Sequence, residues 1–312
     1  MLEKIKVIFM GTPEFSLNVL DMLIKNTNVI AVVTQPDKVI GRGNEKSFNP
    51  IKKLALEHNI RVIQPEKIRK EYDEIVSLKP DLIVTCAYGQ IIPKELIELP
   101  KYGCINIHAS LLPEYRGGAP IHHAVMDGKD KTGITIMYMN EKMDEGDILY
   151  QKEINILDTD NTSSMFKKLS ILGSEMIKEF IPKLVSGDIS PIRQDNTKAT
   201  YAYNITKEDE KIDFNDTSIN IYNKIRGLSE VPGSYAFLDN KRIKIFNSRI
   251  GSKTNGQIGE IIEIYDDGIG IRTKDSEIII TNIQEEGKVR EEVKDYLNGI
   301  QDKNKLIGKV FY

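Results

Sequence analysis

Short apolar runs alternate with amphipathic segments over the first 190 residues. The apolar runs lie at residues 5–10, 28–34, 81–86, 103–108 and 133–139. Their length is typical of buried strands, whereas residues 49–58 and 161–184 carry apolar side chains at helical spacing. Strands that alternate with helices predict a mostly parallel, Rossmann-like α/β sheet with helices on both faces.

The first strand is followed by Gly11, Thr12 and Pro13 and then by a helical pattern. Thr12 is predicted to be the N-cap of that helix, because its side chain can accept a hydrogen bond from the first turn. Pro13 would occupy the first helical position, where a missing N–H has no cost.

Beyond residue 234 the spacing changes to short segments with alternating apolar and polar positions. Turn-forming pairs separate them at Asp239-Asn240, Asn255-Gly256 and Asp267-Gly268. This pattern predicts a small OB-like β-barrel with one or two helices.

A stretch poor in large apolar residues, 186–202, precedes the β-rich part of the chain. We therefore expect three parts. They are an α/β domain at 1–189, a linker at 190–206 and a C-terminal β-barrel domain at 207–312. The length of 312 residues suits two domains of ordinary size.

Composition narrows the class of protein. With 40% hydrophobic and 29% charged residues the chain has the composition of a globular protein. The net charge is −3, and residues 207–312 hold 17 Lys and Arg against 19 Asp and Glu. The overall charge therefore does not indicate a nucleic-acid-binding protein, and any contact with RNA must come from local basic patches.

Cys86 and Cys104 lie in apolar surroundings without metal-ligand spacing, which favours buried free thiols in a reducing compartment. Neither a signal peptide nor an apolar stretch long enough to span a membrane is evident, so a cytoplasmic protein is expected. A monomer is the default expectation, because the sequence shows no interface signature. His58, His122 and His123 do not combine with Cys or carboxylates into a metal site, and no metal is implied.

The turn after the first strand, Gly11-Thr12-Pro13-Glu14, lacks the GxGxxG spacing, and no P-loop is present. Dinucleotide and nucleoside-triphosphate chemistry lose their main support. A structural turn and a ligand-binding turn at the carboxyl end of a strand both remain open.

Asn106 and His108 are the first candidates for chemistry. Alternation along the strand at 103–108 places them on one face, near its carboxyl end. An amide beside an imidazole suits stabilisation of an oxyanion, although a purely structural hydrogen bond is the common alternative.

Two segments supply the surroundings. A loop with two prolines and two adjacent glycines, 110–120, can approach a ligand closely. An acidic turn containing Asp144 and Asp147 follows the next strand. Such an aspartate could orient the imidazole or relay a proton, or simply bond its own backbone.

The run INIHASLLPEYRGGAP and the later TGITIMYMNEKMDEGDIL together resemble the signature of the 10-formyltetrahydrofolate-dependent formyltransferases. The resemblance implies catalytic residues at Asn106, His108 and Asp144. It also implies a folate site lined by Ser110, Leu111, Leu112 and Pro113, with 10-formyltetrahydrofolate as formyl donor.

The opening VIFMGTPEFS, the segment TQPDKVIGRG and ITKEDEKIDF are similar to one branch of this family. The acceptor of that branch is methionine esterified to initiator tRNA, used in translation initiation. The resemblance implies a tRNA-binding loop with Arg42 as its contact residue. From composition alone this loop could equally be a solvated surface segment. Lys288 and Arg290 are weaker candidates for tRNA contact.

Three alternatives stay open at this stage. A related enzyme could formylate a sugar-nucleotide amine or glycinamide ribonucleotide, and a hydrolase could release formate from the same site. A non-catalytic protein could use the barrel as an oligonucleotide platform.

Overall fold

The computed structural model describes residues 2–40 and 45–312, with the backbone alone described at 38–40 and 45–47. Two compact units are present. The first comprises residues up to 117, 132–154 and 166–202, and the second comprises 118–131, 155–165 and 203–312. The three sequence-based domain bounds stay a prediction.

The first 190 residues contain most of the α/β part of the fold. Its strands are β1 (Lys6–Gly11), β2 (Asn28–Val33), β3 (Lys38–Ile40), β4 (Glu45–Ser47), β5 (Arg61–Ile63), β6 (Leu82–Cys86), β7 (Cys104–His108), β8 (Lys131–Tyr138) and β9 (Ile148–Asn155). Its α-helices are α1 (Leu17–Asn26), α2 (Pro50–Glu57), α3 (Asp73–Ser77), α4 (Lys94–Ile97), α5 (Pro120–Met126) and α6 (Thr162–Ser186). The five predicted strands and two predicted helices are confirmed within a few residues.

The main sheet has the strand order β5-β2-β1-β6-β7-β8-β9. Neighbouring strands from β5 to β7 run parallel, whereas β8 runs antiparallel to β7 and pairs Thr135 with His108. All residues of β6 are buried, as expected for a strand in the middle of a covered sheet. The carboxyl ends of β1, β6 and β7 therefore meet at one edge, the usual ligand edge of such sheets.

The predicted N-cap at Thr12 is wrong. A 3₁₀ turn, Glu14–Ser16, follows Pro13, and α1 begins only at Leu17. The Thr12 hydroxyl instead donates a hydrogen bond to the Tyr88 carbonyl, 3.2 Å away. A partner 76 residues away thus replaces the local cap that the sequence pattern favoured.

The polar segment around residues 37–50 contains a short hairpin. Its strands β3 and β4 pair antiparallel, with Lys38 opposite Ser47. Arg42, the predicted tRNA-contact residue, lies outside the described residues.

The segment predicted to link the domains is hydrogen-bonded within the first unit over much of its length. Ile192 pairs with Ile148, and Tyr201 pairs with Arg116.

No helix in residues 2–40 and 45–312 is both long and apolar enough to cross a membrane.

The C-terminal part forms a separate antiparallel sheet, ordered β10-β11-β14-β13-β12 with β15 beside β14. Its elements are α7 (Lys207–Glu210), α8 (Ser218–Leu228), β10 (Ser234–Leu238), β11 (Lys241–Gly251), β12 (Ile261–Ile264), β13 (Ile269–Arg272), β14 (Glu277–Glu285), β15 (Glu291–Glu292) and α9 (Val293–Asn298). The Asp239-Asn240 hairpin turn is confirmed, with φ of +50° and +63°.

Among the described residues no ladder joins β10 directly to β12. The end of the chain instead bonds to both edges of the sheet. Phe237 in β10 exchanges backbone hydrogen bonds with Tyr312, and the Ile261 N–H in β12 donates to the Lys309 carbonyl. The buried side chains beneath this sheet are mainly isoleucines, among them Ile245, Ile261, Ile271 and Ile278.

Candidate active site

Asn106 and His108 stand at the carboxyl end of β7, as their spacing predicted. The Thr85 hydroxyl, on the neighbouring strand β6, donates to Asn106 Oδ1 over 2.7 Å. Because Oδ1 is occupied in this way, the Nδ2 amide points away from Thr85. This orientation leaves Nδ2 as the end of Asn106 that can donate to a carbonyl oxygen.

His108 is buried, with 6% of its surface exposed. Its Nε2 lies 2.9 Å from the Tyr115 carbonyl oxygen, which can only accept, so Nε2 carries a proton. The opposite ring nitrogen, Nδ1, lies 3.7 Å from Asp144 Oδ2. The ring is thus fixed at one end by the backbone and faces a carboxylate at the other.

Asp144 is the aspartate of the acidic turn that lies beside the imidazole. Its Oδ2 also accepts a hydrogen bond of 2.8 Å from the Gly117 N–H, and its backbone has a left-handed φ of +54°. The second candidate of this turn, Asp147, is exposed. The structure therefore brings together Asn106, His108 and Asp144.

The loop that follows β7 carries the four predicted folate residues. Ser110 is fully buried, and its hydroxyl donates to the Glu114 carbonyl over 2.6 Å. Leu112 is also buried, whereas Leu111 and Pro113 are half-buried. Ser110 and Leu112 therefore shape the loop, and Leu111 and Pro113 are its more accessible members.

Two residues that sequence reasoning missed hold this loop. The Thr135 hydroxyl on β8 donates to the Ser110 carbonyl over 2.7 Å and accepts from the Leu112 N–H. Gln151 on β9 donates to Thr135 Oγ1 and to the Leu112 carbonyl, at 2.8 and 3.1 Å. The sequence carried no signal for either, because each acts on a segment at least 23 residues away.

A second missed pair lies behind Asp144. Arg116 has 1% of its surface exposed, and two of its guanidinium nitrogens donate to Gln194 Oε1. Gln194 in turn donates to the carbonyl oxygens of Asp144 and Gly146. The only sequence cue was the charged Arg116 directly before the two adjacent glycines of the loop.

The carboxyl ends of β1 and β6 border the same edge. Gln35 donates to the Tyr88 carbonyl over 3.0 Å, the same oxygen that Thr12 contacts.

Burial raises the pKa of the Cys86 thiol to about 12 and the pKa of the Cys104 thiol well above its ordinary value. Both thiols are free and buried, as their apolar sequence context predicted, and burial keeps them protonated at neutral pH.

The two weaker tRNA candidates lie in the second unit. Lys288 pairs with Glu285, and a hydrogen bond to that carboxylate raises the pKa of Lys288. Arg290 lies 3.4 Å from Glu230 and 4.3 Å from the centre of the Phe246 ring. Each cation is thus already paired with a neighbouring acid.

The remaining histidines of this unit bond to backbone carbonyls. His122 Nε2 lies 3.3 Å from the Val231 oxygen, and burial lowers the pKa of His122. His123 Nε2 lies 3.0 Å from the Tyr203 oxygen. Both therefore have structural partners.

Two family models, which together match most of the chain, define the class of protein. The family model described as "Formyl transferase" matches residues 3–181, and the model "Formyl transferase, C-terminal domain" matches residues 204–301. The chain belongs to the formyl transferase family and is a formyltransferase.

Its relatives of known name point to one member of that family. Methionyl-tRNA formyltransferase of Geobacillus sp. (strain WCH70) is 50% identical over 300 residues, which cover 95% of this chain and 94% of that protein. The protein of the same name from Staphylococcus epidermidis is 48% identical, over 98% of this chain and 99% of the relative.

Solved structures show the same fold at lower identity. An N-formyltransferase from Helicobacter canadensis, in complex with folinic acid and dTDP-3-aminofucose, superposes with a TM-score of 0.68 at 21% identity. The superposed residues cover 88% of this chain and 98% of the Helicobacter protein. HypX from Aquifex aeolicus with tetrahydrofolic acid has a TM-score of 0.63 at 18% identity, over 98% of this chain and 50% of that one.

Proposed function

We propose that this chain transfers the formyl group of 10-formyltetrahydrofolate to the α-amino group of methionyl-tRNA. The product is N-formylmethionyl-tRNA, used for translation initiation. The carrying observation is the near-full-length identity of 48–50% to proteins named for this reaction. The grouping of Asn106, His108 and Asp144 at one sheet edge supports it.

In the proposed reaction the methionine nitrogen attacks the formyl carbon, a C–N bond forms, and the bond from that carbon to N10 of the folate breaks. Negative charge develops on the formyl oxygen. Asn106 Nδ2 donates to that oxygen, and protonated His108 stabilises the same charge. Asp144, 3.7 Å from His108 Nδ1, pairs with the imidazolium and accepts or relays the amine proton. The leaving nitrogen N10 takes up one proton, so that tetrahydrofolate is released.

The loop 110–113 is the proposed folate site. Leu111 and Pro113 are half-buried apolar side chains that can pack against the face of a folate ring, whose polar edge needs hydrogen-bonding partners. Ser110 and Leu112 keep the loop in shape through their bonds to Glu114 and Thr135. The folate bound in the related Helicobacter and Aquifex structures supports a folate donor.

The tRNA is proposed to bind through a few placed residues, because the whole chain has a net charge of −3. Arg42 between β3 and β4 is the first of these. The C-terminal sheet is proposed to be an OB-like barrel whose edges β10 and β12 are bridged by residues 308–312. Such a barrel offers a surface for the RNA.

An assay with three reaction mixtures tests the proposal. Labelled 10-formyltetrahydrofolate is mixed with methionyl-tRNA, with a sugar-nucleotide amine, or with no acceptor, and labelled products are separated. We expect label on methionyl-tRNA alone. Label on the sugar amine, or release of formate without acceptor, would replace the proposal by one of the alternative activities.

The Arg42→Ala variant tests the tRNA contact. Removing one phosphate contact should weaken use of the charged tRNA and flatten the dependence of KM on salt, because fewer counterions are released on binding. The Arg42→Lys variant, which retains the charge, is the matched control. An unchanged KM and salt slope in Arg42→Ala would refute the contact.

A further inference from the structure

The guanidinium of Arg116 is buried directly after the folate loop. Its Nε and Nη2 lie 3.1 and 2.7 Å from Gln194 Oε1, and Nη2 lies 2.8 Å from Asn196 Oδ1. The Glu145 carboxylate lies 3.5 Å from its third nitrogen, Nη1. A buried cation is costly unless it is paired and hydrogen-bonded, so these contacts fix Arg116 in one position.

Gln194 transmits that position to the acidic turn. It has 6% of its surface exposed, and its Nε2 donates to the carbonyl oxygens of Asp144 and Gly146, at 2.8 and 2.7 Å. With two donors on Nε2 and two acceptor sites on Oε1, the amide is fully used. Reversing the amide would place NH₂ against the guanidinium and oxygen against two carbonyls, so only one orientation is allowed.

The turn needs such support. Asp144 has a φ of +54°, a left-handed conformation that costs a non-glycine residue free energy. Gly146 passes so close to Tyr138 that an added Cβ would collide with the Tyr138 carbonyl oxygen. The Arg116–Gln194 pair holds the carbonyls of Asp144 and Gly146 in this tight turn. The fixed backbone then keeps the Asp144 carboxylate opposite His108.

We propose that Arg116 and Gln194 are positioning residues for catalysis, which act through Asp144 and do not touch the substrates. The inference rests on the proposed formyl transfer. Gln194 holds the Asp144 backbone, and Arg116 holds Gln194. When either contact is lost, Asp144 Oδ2 leaves its place opposite His108 Nδ1, and the chemical step slows while substrate binding is retained.

The Gln194→Glu variant tests this directly. A carboxylate still accepts from Arg116, so the buried cation keeps a partner, but the two donors to the turn are replaced by an oxygen. We expect kcat to fall about 10- to 100-fold, the loss typical of a displaced catalytic group. The KM values for folate and methionyl-tRNA should change less than twofold. The new oxygen faces the carbonyls of Asp144 and Gly146, so the thermal midpoint should fall, and kcat is therefore expressed per folded molecule.

A double-mutant cycle separates positioning from general structural damage. In the Asp144→Asn background, Gln194→Glu should lower single-turnover formylation by less than about twofold, since the group it positions is already impaired. Equal fold-losses in both backgrounds would overturn the proposal, as would unchanged kcat in folded Gln194→Glu.

Two further variants complete the design. Gln257→Glu, an exposed glutamine of the second unit, makes the same chemical change away from the site and should leave activity unchanged. Gln194→Asn retains the amide on a shorter side chain and should give a loss of kcat in the same direction, should Gln194→Glu fail to fold. If the unmodified chain forms no formylmethionyl-tRNA, the proposed function fails independently of this pair.

Discussion

The candidate active site and the core of the C-terminal sheet are both buried, but opposite kinds of interaction hold them. Around His108, polar side chains bond to backbone carbonyls and N–H groups of distant segments. Beneath the C-terminal sheet, isoleucines such as Ile271 and Ile278 exclude water without a polar contact. Substitutions at the candidate active site should change the rate of the reaction, and substitutions in the core of the C-terminal sheet should change the stability of the fold.

The sharpest form of this contrast is the removal of the catalytic side chains. In Asn106→Ala and in His108→Ala we expect turnover to fall about 10²- to 10³-fold, because each loses stabilisation of the developing oxyanion. The fold should persist, since the backbone pairing of β7 is unchanged. Formylation rates measure the loss of turnover, and circular dichroism shows whether the fold persists. Near-normal turnover in either variant would contradict its assignment.

The opposite experiment is the Ile271→Ala variant. Ile271 is fully buried, and its truncation should lower the free energy of unfolding by about 2–5 kcal/mol. Urea denaturation measures this loss. Ile250→Ala on β11, where the side chain is 43% exposed, is the matched control and should cost much less. A fall in kcat per folded molecule of Ile271→Ala would remove the contrast between the regions.

A smaller effect is expected where the active site has only its support removed. Thr85→Val is close to isosteric but cannot donate to Asn106 Oδ1, so the amide loses its fixed orientation. We expect kcat to fall about fivefold to tenfold, the scale of one net hydrogen bond of about 1 kcal/mol. Steady-state kinetics give the value.

Thr132→Val is the control for that variant. The Thr132 hydroxyl is buried without a hydrogen-bond partner among the described residues. Its removal should leave kcat unchanged, so equal losses in the two valine variants would show that Thr85 has no special role.

The smallest effect concerns pH in the C-terminal unit. A hydrogen bond from the Ser218 N–H, at the start of α8, holds the pKa of Asp275 below its ordinary value of 3.8. The stabilisation is therefore present above pH 3.8 and lost as the pH falls through the lower, folded value. Asp275→Asn should shift the urea midpoint slightly at pH 7, and the shift should shrink at pH 3. A constant shift would refute this linkage.

The strand pattern predicted the α/β sheet and the antiparallel C-terminal sheet because both periods are local properties of the chain. Alternation also predicted that Asn106 and His108 share a face. The predicted N-cap at Thr12 was wrong because the Thr12 hydroxyl donates to the Tyr88 carbonyl instead. Arg116 and Gln194 could not be paired in advance, since 78 residues separate them.

By itself the sequence determined the elements, the family motif and the types of chemical group available at the site. Apolar periodicity and turn residues act within a few positions, and they are visible in any stretch of chain. The tertiary structure decided which aspartate faces His108, which end of the imidazole carries the fixed proton, and which side chains hold Asp144 in place. Those choices depend on hydrogen bonds between segments far apart in sequence, whose geometry exists only once the sheet has formed.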